Sequence, residues 1–370
     1  MKKVGVKFRI KAVSIFLVLM LVMPIAMSGC EFIDFNNNDN EQANQNGNKN
    51  ENNGESNGEP ENNGGSNNND ESVNNGGEDV GNENIGEEED GNENGDASVY
   101  VRCDKYGNEK ADGEYILFGE YPQTIKDDNV SVTDTKDSRG YYLGSDGFYY
   151  AKIKATPCAS YYTFTTGAEI DSNVVYYFKV EPIRWRILGE KNGEAIILCD
   201  SIIDKHVFDD SSNNYAESDI RAWLNSLFYD TAFSSLQKEL ILTTEVDNSV
   251  KSANPCGDEK YFNNGVNKYA CENTSDKIFL LSEEEVTNSS YGFNGYVADT
   301  ARKMMTSDYS RAVGAMMNTD GIGWWWLRSP YYSGSHNARG CIDNGNVQII
   351  SVNGPREGVV PALTIKLQEG

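Results

Sequence analysis

The sequence predicts an α+β domain: one compact unit with a mixed or antiparallel sheet, two or more short helices and a C-terminal β-meander. Three observations carry this expectation. Apolar, β-branched runs around glycine-containing loops open the folded region. A helical stripe with capping residues occupies its middle, and strand–turn–strand patterns close it. Strands at both ends with helices between them bring both ends of the domain into sheet.

Residues 114–119 (EYILFG) read as a first strand, and residues 125–175 hold tyrosine-rich and Gly/Asp-rich pieces of short strands and loops. Residues 174–188 and 194–199 flank a glycine-containing loop at 189–193, the pattern of a hairpin. The first helix is expected over 218–228. There Ile220, Trp223, Leu224, Leu227 and Phe228 fall at i, i+3, i+4, i+7 and i+8, and Ser218 and Asp219 supply N-cap chemistry. A second helix starts at Ser234, whose spacing to Gln237 is that of a capping box. Residues 278–281 (IFLL) read as a buried strand. Ser282 and Glu285 then repeat the capping-box spacing for a short helix ending near Asn288, and residues 299–305 suit one more helix. The meander comprises strands at 324–328 and 338–342, a turn at 343–346 in which Asn344 and Gly345 suit type I′, a return strand at 347–351, a turn at Asn353 and Gly354, and a last strand at 358–367.

The formal charge of −25 is unevenly spread: about +5 in residues 1–30, about −18 in 31–98 and about −12 in 99–370. No basic stripe follows Cys30, so the acidic chain is expected to bind no nucleic acid. Residues 31–98 are almost wholly Asn, Glu, Gly, Asp and Ser, too polar to offset the entropy of folding. They are expected to form a disordered tether of roughly 45 Å root-mean-square span. Residues 99–370, uninterrupted by a linker, fit one domain. Of the cysteines after Cys30, the pair Cys256 and Cys271 brackets a polar Asn/Gly-rich segment and is the preferred disulfide. No C-x-x-C occurs and only His206 and His336 are present, so no structural metal or cofactor is expected.

Lys2, Lys3, Lys7, Arg9 and Lys11 precede an apolar run at 12–23, and Met27, Ser28 and Gly29 close on Cys30. This arrangement resembles the lipobox of bacterial lipoproteins. The resemblance implies that residues 1–29 are a signal peptide, that Cys30 carries a lipid, and that residues 30–98 tether the domain outside the cell membrane. An uncleaved membrane helix is the other reading of the same apolar run.

A second resemblance rests on spaced motifs: residues 115–123 (YILFGEYPQ), 182–188 (PIRWRIL), 218–225 (SDIRAWLN), 276–282 (DKIFLLS), 291–293 (YGF), 325–330 (WWLRSP) and 358–363 (GVVPAL). Together they resemble a family of uncharacterised bacterial surface and secreted domains of the DUF6273 type, which implies no particular activity. The family usually carries arginine where this chain has Val360. The Trp-rich strand and the meander ending in Pro361, Ala362 and Leu363 look like the C-type-lectin-like superfold, a fold that does not fix a function.

Among candidate site residues, Trp324 and Trp326 share one face of a strand, and an indole left near solvent can stack on a sugar ring. The same indoles can instead fill the core. Arg328 can pair with an anionic ligand or with loop carbonyls. Asp343, Asn344 and Asn346 are the nearest approach to a calcium cluster, yet the turn already accounts for them. Glu181-Pro182-Ile183 lacks the asparagine of calcium-dependent lectins. His206 and His336 are far apart, and no G-x-S-x-G is present, leaving no recognisable triad. The expected function is therefore a lipid-anchored surface protein that displays a non-catalytic domain binding a glycan or another protein. An extracytoplasmic enzyme acting on a wall substrate and a structural envelope component are the alternatives.

Overall fold

The computed structural model describes residues 99–253 and 267–368, all within one compact unit. The expected signal peptide, the lipidation site Cys30, the tether, and Cys256 of the expected disulfide lie outside the described residues. Strands β1 (Val101–Cys103), β2 (Tyr115–Ile125), β3 (Val132–Lys136), β4 (Tyr142–Gly144), β5 (Tyr149–Lys154), β6 (Val175–Lys191) and β7 (Glu194–Cys199) build the larger sheet, antiparallel throughout. Its order is β1-β2-β6-β5-β4-β3, with β7 also on β6. β6 is long enough to serve two neighbours on one edge, β5 along its first residues and β7 along its last. Alternation along β6 buries Ile183 and Trp185 in the core and turns Arg184 and Arg186 to the opposite face. The β6–β7 turn is shorter than the loop expected. Asn192 and Gly193, at φ 54° and 76°, make a two-residue type I′ connection, so the ladder runs to Lys191 opposite Glu194.

After β8 (Asp204–Lys205) comes the expected first helix, but it is longer and unevenly wound. It is α-helical over Asp219–Trp223, π-wound over Leu224–Phe228 and α-helical again over Tyr229–Ala232, and is called α1 as a whole. The wider π turn carries Phe228 onto the buried stripe beneath Ile220 and Leu224, and swings Leu227 out to 63% exposure. Leu227 is therefore not a core residue. The end of α1 packs on β2 at Gly119, where the φ is +71° and an added Cβ would meet the Phe233 ring at 2.6 Å. Helix α2 (Ser235–Leu240) carries the complete Ser234/Gln237 capping box. β9 (Thr244–Val246), helix α3 (Val250–Ala253) and β10 (Thr274–Asp276) follow, with β9 and β10 forming a two-stranded ribbon.

Residues 278–281 are buried as expected but join no ladder beyond a single bridge from Phe279 to Ala362. The Ser282/Glu285 box forms, with the Ser282 N–H donating to the Glu285 carboxylate at 2.7 Å and the Glu285 N–H to Ser282 Oγ at 3.2 Å; it starts a 3-10 turn, Glu285–Thr287. The helix expected at 299–305 is only a 3-10 turn, Thr300–Arg302, because the next residues enter β11 (Met304–Met305) and pair with β12 (Ile322–Gly323). Between them lies helix α4 (Asp308–Val313), capped by Ser307 and stopped by Gly314 at φ 100°.

Strands β13 (Trp325–Pro330), β14 (Asn337–Cys341), β15 (Val347–Ser351) and β16 (Gly358–Val359) join β8 in a second, mixed sheet of order β15-β14-β13-β16-β8, in which β13 and β16 are parallel. The β14–β15 turn is not type I′. The Gly345 N–H bonds the Ile342 carbonyl at 2.8 Å, and only Gly345 takes a positive φ, which is a three-residue hairpin with glycine at its left-handed position. The final segment is two strands, not one: β17 (Ala362–Lys366) leaves the second sheet and pairs with β7 of the first. Residues 200–203 make the reverse passage beside it, joined by Cys199 N–H to Pro361 carbonyl at 2.9 Å and Ile203 N–H to Val359 carbonyl at 3.1 Å. Pro361, which has no N–H to give, serves this crossing as an acceptor. The principal core, centred on Trp185, Trp325, Trp326 and Phe279, spans both sheets and α1. No helix among the described residues is long and apolar enough to cross a membrane.

Candidate binding cleft

The three residues expected to bind ligand are mostly occupied by the fold. Trp326 is fully buried against Phe208, and its Nε1 donates to the His206 carbonyl at 2.8 Å. Trp325 is likewise buried, with its Nε1 on the Arg302 carbonyl at 2.9 Å. β13 is an interior strand covered on both faces, so alternation does not send either indole to solvent. Only Trp324 keeps partial exposure. Arg328 is 3% exposed. Its guanidinium donates to the carbonyls of Leu280 (2.7 Å) and Asp247 (3.0 Å) and pairs with Glu285. It is a structural clasp and has no free face for a ligand. Of the expected disulfide pair, Cys271 is partly buried, and no two described cysteines are joined.

Among the described residues the histidines gather no catalytic partners either. His206 lies 5.2 Å from the Trp223 ring with Nδ1 2.6 Å from the Val207 carbonyl, and His336 is exposed. Asp204, the carboxylate nearest to His206 in sequence, is buried and accepts the Tyr121 hydroxyl at 2.5 Å. Burial holds its carboxyl above the usual carboxylate range, although the Tyr121 and Lys205 hydrogen bonds oppose the shift. In the β14–β15 turn, Asn344 Oδ1 accepts the Asn346 N–H at 2.9 Å. Among the described residues no three His, Cys, Asp or Glu side chains are grouped to hold a metal ion.

A polar cleft lies elsewhere, on the face of the β2–β6 ladder that points away from the core. Its volume is about 330 Å³. Leu117 and Arg184, opposite one another in register, form part of its lining. Arg184 Nε and Nη2 both donate to Asp200 Oδ2, at 2.9 and 2.6 Å, which leaves Asp200 Oδ1 to a ligand. Glu181 accepts the Thr124 hydroxyl at 3.1 Å, and Gln123 Nε2 is held by the carbonyls of Glu181 and Pro182. Asp308, in the first turn of α4, forms the opposite wall and is spent on structure: it takes the Thr165 N–H (2.6 Å), the Thr165 hydroxyl (2.9 Å) and the Ile125 N–H (3.1 Å). Burial raises the Glu181 carboxyl above its ordinary range, and the nearby Asp308 charge adds to this. Burial does the same at Asp200, opposed by Arg184.

Tyr106 stands at the rim, 73% exposed. The Asp104 carboxylate holds that loop by accepting the backbone N–H groups of Tyr106 (2.8 Å) and Asn108 (3.0 Å). An exposed ring on an ordered loop, above planar amide, guanidinium and carboxylate groups, can stack on a flat ligand and bond its hydroxyls. Arg184 stands within the motif at 182–188, whose composition does not mark it as a site residue. The available signal was the alternation Ile183, Arg184, Trp185, Arg186, which places two arginines on one strand face.

The cleft draws residues from two parts of the chain: Tyr106 from the β1–β2 loop with Glu181 and Arg184 from β6, and Asp200, Ser201, Ser307 and Asp308 from beyond the β6–β7 turn. That division coincides with a boundary in the comparisons with known proteins. No curated protein and no solved structure matches the chain. The second part alone is matched by a family model; the motifs at 115–123 and 182–188 lie outside the match, and Val360 within it is buried. The model that matches, over residues 192–367, is that of a domain of unknown function, DUF6273.

Proposed function

We propose that this chain is a bacterial lipoprotein, anchored through Cys30 to the extracytoplasmic face of the cell membrane, whose domain binds a saccharide in the Arg184–Asp200 cleft. The observation that carries the reading is the pairing of an exposed, loop-held Tyr106 with half-buried polar groups that retain bonding capacity. Sugars offer a flat apolar face and a fringe of hydroxyls, and this cleft supplies a partner for each. The lectin-like reading of the C-terminal meander belongs to the same proposal, supported by the mixed sheet that β8 and β13–β16 form. Catalysis is the second reading: Glu181 and Asp200 line one cleft and both have raised carboxyls.

A glycan and wall-fragment array probed with the purified protein tests the proposal. Binding that falls about tenfold or more in Tyr106→Ala and Arg184→Gln supports it, and silence across the array overturns it. Chain shortening of a bound saccharide, lost in Glu181→Gln, would replace binding by hydrolysis. In cells, Cys30→Ala should release the protein from the membrane fraction. Native protein that takes up no labelled fatty acid in cells, as Cys30→Ala should not, refutes the anchor.

A further inference from the structure

Two residues along the same strand face lies a second cavity of about 400 Å³, lined by Tyr115, Arg186, Tyr291, Gly292, Arg102 and Glu190 among others. The register Tyr115 opposite Arg186 and Leu117 opposite Arg184 places both cavities on one side of the β2–β6 ladder, while Ile116 and Trp185 point into the core. Arg184 and Arg186 are therefore spaced by about 7 Å along the strand. Tyr115 stands between them, its ring 5.7 Å from the Arg184 guanidinium.

Arg186 is unlike the buried arginines of the fold. Arg302 gives its donors to the carbonyls of Gly345, Val286, Gly295 and Val297. Arg328 is satisfied by carbonyls and by Glu285, apart from Nε. Arg311 bonds the Thr306 hydroxyl and the Thr163 carbonyl. The Arg186 guanidinium has no hydrogen bond or ion pair to any described residue; Nε and Nη2 are buried without partners, and the guanidinium lies over the Phe293 ring at 4.8 Å. Buried donors left unpaired are costly and uncommon. The acids nearby do not supply the missing partner. Asp200 and Asp299 act on it through space without bonding it: Asp200 takes both Arg184 bonds and Asp299 accepts the Asn294 and Ala301 N–H groups. Glu190 is paired with Arg102 at 2.5 Å, Asp112 with Lys110 at 3.3 Å, and Glu114 is exposed.

We propose that Arg186 is the carboxylate-recognition residue of a groove extending from the Arg184 cleft, so that the ligand is an oligosaccharide bearing carboxylate groups. This rests on the saccharide reading of the first cleft and narrows its ligand class. One sugar stacks beneath Tyr106 and bonds Arg184 and Asp200. The next presents its carboxylate to the Arg186 guanidinium where it lines the second cavity, with the ring of Phe293 backing the guanidinium.

The test uses the full chain with two matched probes, oligogalacturonate and its methyl-esterified counterpart, in isothermal titration. The ester replaces each charged carboxylate by a neutral and slightly larger methyl ester. The acid form should bind at least about tenfold more tightly than the ester. Arg186→Gln should erase that preference while leaving affinity for the ester within about twofold, and Arg186→Lys should restore part of it. Equal affinity of the native protein for acid and ester overturns the assignment of Arg186 and leaves the saccharide cleft standing. Binding of neither probe, with a silent array, overturns both. The acid–ester comparison needs no variant, so it stays decisive even if Arg186→Gln destabilises the sheet.

Discussion

Arg328→Ala should be among the most damaging single changes in the described fold. Arg328 is 3% exposed and ties β13 to three other segments: the carbonyl of Leu280, the carboxylate of Glu285, and the Asp247 carbonyl with Ser252 Oγ beside α3. Alanine leaves the half-buried Glu285 carboxylate and two carbonyls without their donor. Breaking a buried pair from one side costs about 3–5 kcal/mol. With a urea m-value of about 2–3 kcal/mol/M, the unfolding midpoint should fall by roughly 1–2 M at unchanged m. Glu285→Gln should cost less, because it keeps an oxygen for the Ser282 N–H, and the double variant should reveal a coupling of about 1–3 kcal/mol. Equilibrium urea denaturation followed by tryptophan fluorescence measures all three. A loss under about 1 kcal/mol for Arg328→Ala, or no coupling with Glu285, would refute the clasp and return Arg328 to the surface as a ligand residue.

Trp326→Ala should cost about 3–5 kcal/mol, since it empties a fully buried site and strips the His206 carbonyl of its donor, whereas Trp324→Ala should cost less than half as much; urea midpoints that rank the other way contradict the burial assigned here. The pH dependence follows from Asp204. Its carboxyl is raised in the folded state, so the stability it contributes is complete below the unfolded value near about 4 and is lost as pH rises through the folded value. Asp104, Asp137, Asp146 and Asp247 are lowered and act oppositely, in a window below about 4. The melting temperature should therefore fall from pH 5 to pH 8, and Asp204→Asn should flatten that slope in part, Glu181, Asp200, Glu283 and Glu357 also being raised. A melting temperature that climbs over this range would be inconsistent with a buried, neutral-favouring Asp204.

Features governed by neighbours a few residues apart were legible in the sequence. Both capping boxes formed at the serines and acceptors expected, because a side chain and the N–H three residues on meet without help from the rest of the chain. The β6–β7 hairpin formed for the same reason, although its turn closed on Asn192 and Gly193 alone. Leu227 failed as a core residue because the π-wound turn that contains it swings its side chain off the buried stripe, and nothing local announces that change of winding. Helix α4 escaped notice at six residues, too short to display a stripe.

Site residues were harder to read than elements. The tryptophans drew attention as large apolar groups, yet a strand with neighbours on both edges and cover on both faces gives alternation no outside to point to. Conversely, Arg184 and Arg186 stand in plain alternation, but which face of β6 meets the core depends on the register with β2 and β7.

By itself the sequence determined the α+β class, the order of most elements, the caps and turns, and the polar composition of residues 31–98, since these follow from backbone preference and short-range spacing. Only the tertiary structure decided that the last strand divides at Pro361 between two sheets, that Trp326 and Arg328 are interior, and that Tyr106, Glu181, Arg184 and Asp200 share a cleft. Those outcomes depend on contacts between residues far apart in the chain, and such contacts are chosen by the joint burial of two sheets and not by any local pattern.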